Sequence, residues 1–210
     1  MRIRILLAAI AAAIALAGAA QAAPRYTALG DSYTAGPLIP LPLPPFGCLK
    51  SSSNYPRLAQ LRLRYAEFRD ASCSGAETED MTQPQNVTPG PNPPQFDALS
   101  ADTELVTITI GGNDIGFTSI AEDCVSPSPF GSPCRDQYVQ GGQDEVSRRI
   151  AETAPKVAAV IQGIHERSPA ARVLVLNYSA ILPHTGDAAA GRSCRSPTAT
   201  SPTCARSRRS

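Results

Sequence analysis

Apolar residues in this chain gather into short β-prone runs separated by stretches of longer period. Residues 26–29 (YTAL) are a first run, ending in a tight Gly30-Asp31-Ser32 turn. Residues 66–71 make a second, weaker run, leading into Cys73-Ser74-Gly75-Ala76. Residues 105–110 (LVTITI) are the clearest strand, β-branched and apolar, and stop at Gly111-Gly112-Asn113-Asp114. Residues 171–178 (ARVLVLNY) read as a further buried strand. Between these runs the period lengthens to that of a helix. Residues 53–63 start with Ser53 or Asn54 as cap and Pro56 in the first turn. Residues 144–167 repeat apolar positions at Val146, Ile150, Val157, Ile161 and Ile164, with Pro155 expected to kink or locally disturb the helix. Strands alternating with helices predict an α/β fold with a parallel sheet and right-handed crossovers.

Two proline-rich segments interrupt this alternation. Residues 37–46 follow the Ser32 turn and are expected to form a surface loop walling a cleft. Residues 82–94 hold five prolines without periodicity and read as an ordered loop crossing the surface. The 210 residues otherwise suit one domain after removal of a targeting segment, and 42% hydrophobic against 18% charged residues fits a protein with a real core.

The N-terminus changes the picture. Arg2 and Arg4, an apolar run over 5–17 and Ala20-Gln21-Ala22 make residues 1–23 a secretory signal peptide, so export is expected. The apolar run is short for a membrane span, and no later stretch is apolar enough for stable membrane insertion. An oxidising destination makes the cysteines readable as disulfides. Cys48 and Cys73 flank the second α/β unit and Cys124 and Cys134 bracket a Pro- and Ser-rich loop; these are the expected pairs, although four cysteines allow three connectivities. No cysteine pair has zinc-finger spacing and the two histidines are poorly placed to help, so no metal site is expected. Between residues 23 and 187, 12 basic residues stand against 18 acidic ones, which argues against nucleic acid as the main partner.

In a parallel sheet the three turns after the first three strands lie on one edge and face one crevice. The chemistry they can supply together is acyl transfer. Ser32 is the candidate nucleophile; the Ser32 and Gly75 backbone N–H groups and the Asn113 side-chain amide are the candidate oxyanion hole. The competing local readings are a helix cap for Asn113 and Asp114, a simple turn glycine for Gly75, and a turn brace for Asp31.

With Gly-Asp-Ser-Tyr near the mature N-terminus, Gly75 after the second strand and Gly-Gly-Asn-Asp after the third, the chain resembles the GDSL-type (SGNH) hydrolases, in particular the secreted, disulfide-containing lipases and esterases of actinobacteria. The resemblance covers residues 25 to about 186. It implies a flavodoxin-like three-layer α/β/α sandwich, ester hydrolysis without a cofactor, a small-molecule ester or lipid substrate, and functional roles for Ser32, Gly75 and Asn113. No Gly-x-Ser-x-Gly elbow is present, which sets the chain apart from the ordinary α/β-hydrolases.

The family's last block, Asp-x-x-His, is missing from the sequence. The two histidines are His165, on the long helix, and His184, after the fourth strand and expected at the correct sheet edge as a weak candidate base. After Asp187 the composition turns to Ala, Arg, Ser, Thr, Pro and Cys with lone glycines, as a GC-rich gene reads out of frame. With GC-rich codons, the frame one base earlier from Cys194 reads Pro-Val-Ala-Asp-Gly-Asp-Val-Ala-Tyr-Val-Arg. The expected organisation is therefore a signal peptide over 1–23, an incomplete hydrolase domain over 24–187 and a disordered, frameshifted tail over 188–210. On this reading Cys194 and Cys204 are not a designed disulfide, and activity is impaired. The alternative function is a non-catalytic secreted protein using the cleft to bind an acyl or carbohydrate ligand.

Overall fold

A computed structural model of the chain describes residues 23–124 and 134–179. The expected signal peptide, the loop over 125–133, His184 and the segment after Asp187 lie outside the described residues.

Four parallel strands form the central sheet: β1 (Arg25–Gly30), β4 (Glu67–Asp70), β5 (Thr103–Thr109) and β8 (Arg172–Val175), in the order β4-β1-β5-β8. Short elements connect them. Helix α1 (Ser32–Ala35) follows β1, and β2 (Pro42–Leu43) and β3 (Lys50–Ser51) make a small antiparallel ladder in the proline-rich loop. Helix α2 (Tyr55–Leu63) leads to β4; Asn54 caps it by accepting from Arg57 N–H at 3.1 Å, and Pro56 occupies its first turn. After β5 come α3 (Phe117–Cys124), α4 (Arg135–Tyr138), the short pair β6 (Val139–Gln140) and β7 (Gln143–Asp144), and the long α5 (Glu145–Arg167). Residues 177–210 form a separate unit, of which 177–179 are described; there Tyr178 N–H donates to Asn177 Oδ1 at 2.9 Å.

The alternation along the strands sorts side chains into two cores. Tyr26, Ala28 and Leu105 pack with Ala59, Tyr65 and Phe68 on the α2 side. Leu29, Val106 and Ile108 pack with Phe96, Val160 and Ile164 on the α5 side. Helices on both faces of a parallel sheet make the three-layer α/β/α sandwich expected from the sequence.

Two expectations are corrected. The strand at 171–178 is shorter and is not buried: Leu174 and Val175 are 39% and 52% exposed, because β8 is the edge of the described sheet and is paired by β5 on one side. On α5, Ile150 is exposed by half, and the residues that bury are Thr153, Val160, Gly163 and Ile164. Gly163 faces the sheet side because Phe96 fills the space a Cβ would need, at 2.8 Å. The helix runs uninterrupted through Pro155.

Candidate active site

The carboxyl ends of β1, β4 and β5 are laced together by backbone hydrogen bonds. Cys73 N–H donates to Gly30 O at 3.0 Å, and Asp31 N–H donates to Thr109 O at 3.0 Å. The parallel register that pairs Ala28 with Asp70 and Gly30 with Thr109 puts the three turns side by side. Each turn carries one of the residues singled out in the sequence.

Ser32 opens α1, with Asp31 as its cap. The buried Asp31 carboxylate accepts from Tyr33 N–H at 2.9 Å, which fixes the turn. Ser32 is half-buried, and among the described residues neither its hydroxyl nor its N–H has a hydrogen-bond partner. Gly30 makes the approach possible. Its φ is +127°, and a Cβ there would come within 2.4 Å of Thr109 O.

Gly75 stands at φ +80° in an exposed turn whose ends are tied on both sides. Ser74 N–H donates to Cys48 O at 3.0 Å, and Gln85 Nε2 donates to Ser74 O at 2.9 Å. A Cβ on Gly75 would meet just Gln85 Nε2, at 3.7 Å, so the glycine serves the backbone angle and leaves open space above it. Its N–H has no acceptor among the described residues.

Asn113 does not cap a helix. One side-chain N–H donates to Ala76 O at 2.8 Å, which orients the amide plane and leaves the second N–H of the same nitrogen to point elsewhere. Asp114, 1% exposed in its side chain, accepts from Thr78 N–H at 3.0 Å and from the Thr78 hydroxyl, with Lys156 Nζ 3.8 Å away. The two neighbouring residues thus bind the turn after β5 to the turn after β4.

The three turns thus place one hydroxyl, two backbone N–H groups and one side-chain amide along the same edge of the sheet. A separate cleft of about 390 Å³ lies between the Thr78–Met81 turn and α5, with Glu77, Glu79, Asp114 and Lys156 in its lining. Burial, followed by the charges of Asp114 and Glu79, pushes the Glu77 carboxyl up from its ordinary range. None of Ser32, Gly75 and Asn113 lines that cleft.

A model of the GDSL-like lipase/acylhydrolase family matches residues 28–203, most of the chain. The chain belongs to that family. It is 41% identical over 184 residues to Lipase 2 of Streptomyces coelicolor, an alignment covering 83% of this chain and 60% of the relative. Among solved structures, an extracellular lipase from Streptomyces rimosus superposes with a TM-score of 0.54 at 30% identity, over 74% of this chain and 60% of that one. Phospholipase A1 from Streptomyces albidoflavus NA297 gives 0.54 at 26% identity, over 76% and 65%. The chain spans about 60% of the length of the first two relatives. The family match runs past Asp187, into the segment set apart by its composition.

Within this GDSL-like fold the described histidine, His165, sits exposed in the last turn of α5, just before the amino end of β8 and on the edge opposite Ser32. The sulfurs of Cys48 and Cys73 lie at disulfide distance, as do those of Cys124 and Cys134, in the pairing expected from the sequence. The first bridge ties the proline-rich loop to the turn that carries Gly75. Among the described residues no group of three or more His, Cys, Asp or Glu side chains could hold a metal ion.

One residue of the site was missed in the sequence. Gln95, fully buried, accepts from Gly30 N–H at 2.7 Å through its side-chain oxygen and donates to Gly30 O at 3.0 Å through its nitrogen. The local signal was slight: an uncharged polar residue between Pro94 and Phe96, at the end of a loop with no periodicity.

Proposed function

We propose that this chain is a secreted carboxylic-ester hydrolase by descent, in which Ser32 is the nucleophile and the Ser32 N–H, Gly75 N–H and Asn113 amide stabilise the oxyanion. The reading is carried by the arrangement of the three strand ends: a hydroxyl at the start of α1 beside a turn of open N–H donors, with the Asn113 amide held in plane by Ala76 O. In the reaction, Ser32 Oγ adds to the ester carbonyl carbon and the carbonyl oxygen takes up negative charge between the donors. The C–O bond to the alcohol then breaks as the alcohol is protonated, and water hydrolyses the acyl-serine. The cost of developing charge is lowered because these donors are fixed before the substrate arrives.

Proton transfer needs a base. The sequence has no Asp-x-x-His, and we propose that activity is impaired for that reason, through a frameshift between Asp187 and Cys194. His184 has no carboxylate spaced in the sequence to orient it, and we do not assign it as the working base. Export is supported by the Arg-flanked apolar leader and by the two disulfides.

Hydrolysis of a short-chain p-nitrophenyl ester tests the reading. The expected result is slow turnover that falls on Ser32→Ala and on Asn113→Ala but is unaffected by His184→Ala. Turnover that is fast and lost on His184→Ala would overturn the impairment. Turnover indifferent to both Ser32 and Asn113 would overturn the assignment of the site. Binding of an acyl or carbohydrate ligand without turnover would favour a non-catalytic role. Sequencing the gene from the Asp187 codon past the stop tests the frameshift: an Asp-x-x-His block in a shifted frame supports it, and none in any frame refutes it.

A further inference from the structure

The segment that leaves α1 is an uncharged run that turns several large apolar side chains to solvent. From Gly36 to Leu49 the sequence has no charged residue, and Leu38 is fully exposed, with Leu41 at 70%, Leu49 at 55%, Phe46 at 54% and Ile39 at 46%. Monomeric surfaces scatter such residues singly; five within twelve positions form a patch with a purpose.

The loop is built to hold that exposure. Gly47 N–H donates to Pro89 O at 3.1 Å, Ser52 N–H to Leu41 O at 2.8 Å, and the Ser51 hydroxyl to Pro40 O at 2.9 Å. The Cys48–Cys73 bridge fastens its far end to the turn of Gly75. Lys50, the first charge after it, is buried and donates to Asp70 O, so it adds no charge to the surface. The neighbouring stretch 82–96, joined through Pro89, is also uncharged.

We infer that this loop docks the protein on the surface of aggregated neutral lipid, bringing the crevice of Ser32 against it. The inference rests on the hydrolase reading for its purpose, though not for its test. Two observations favour lipid over a protein partner. Five of the nine residues from 37 to 45 are prolines without an N–H, Ile39 N–H is bonded to Gly36 O, and the carbonyls of Pro40 and Leu41 are taken. Entry into hydrocarbon therefore strands few backbone donors, where each would cost several kcal/mol. The loop also lacks the polar side chains through which protein interfaces gain about one hydrogen bond per 100–200 Å².

The chain has no tryptophan, so an indole placed on the loop reports from one point. In the full-length chain, Leu38→Trp is compared with Ala170→Trp, at the opposite edge of the sheet, in phosphatidylcholine vesicles with brominated acyl chains. The expected result is quenching and a blue shift for Leu38→Trp and neither for Ala170→Trp. Adding Leu41→Asp should weaken partitioning by about tenfold or more, and added salt should leave it unchanged. Ser32→Ala should leave it unchanged too, which separates failure of docking from failure of the catalytic reading. An unquenched indole at position 38 would overturn the inference. So would self-association in lipid-free buffer that Leu41→Asp abolishes, because the patch would then be a contact between copies.

Discussion

The side-chain amide of Gln95 closes on both polar atoms of Gly30, accepting from its N–H at 2.7 Å and donating to its carbonyl at 3.0 Å. Sixty-five residues separate the two, and both are buried. The clamp holds the last residue of β1 in the conformation that aims Ser32. Gln95→Leu is expected to lower stability by about 2–3 kcal/mol, since it leaves a buried N–H without an acceptor. Urea unfolding should show a lower midpoint with unchanged slope.

Gly30→Ala should be worse. A Cβ would stand 2.4 Å from Thr109 O and 2.6 Å from Thr34 Oγ1, at a backbone angle that only glycine adopts without strain. A loss of about 3 kcal/mol or more is expected, read from the same unfolding curves.

In the proposed mechanism Asn113 acts on charge that forms during reaction. Asn113→Ala is expected to cut the rate constant of whatever ester turnover the chain supports by about 10²-fold, with KM little changed. A rise in KM at constant kcat would assign Asn113 to substrate binding instead.

Lys50 gives a pH signature. Burial pushes its ammonium below the ordinary value of 10.5, with Asp70 opposing the shift. Between its pKa in the folded protein and 10.5 the unfolded chain binds the extra proton, so stability rises with pH across that window and levels off above it. Lys50→Met should remove that rise, measured as urea midpoints from neutral pH to about pH 10.5.

The Cys48–Cys73 bridge spans 25 positions. Replacing both cysteines by serine should cost about 3–4 kcal/mol on the chain-entropy account, and should release the loop that carries Leu38. Calorimetry of the double variant against the parent checks the first. Proteolysis within residues 37–47 checks the second.

Much of the fold was legible because it is written locally. The apolar run of Tyr26, Ala28 and Leu29, the β-branched run before Gly111, and Asn54 followed by Pro56 each act over a few residues, so strand, turn and cap could be read in place. The turn glycines were legible for the same reason: an unusual φ is a demand on one residue.

Other features belonged to the assembled protein. The sequence made 171–178 a buried strand, but burial depends on what lies across a strand, and β8 has a neighbour on one side among the described strands. Periodicity placed Ile150 on the inner face of α5, yet the helix turns Thr153 and Gly163 inward, because Phe96 and the turn after β5 set the fit. The side chain of Asp114, the natural cap of a following helix, went instead to Thr78. The chain by itself determined the strands, the three turns and the residue types in them. Tertiary structure decided which side chains the turns share, since a buried polar group takes its partner from whatever the packing brings near it, whatever its distance in sequence.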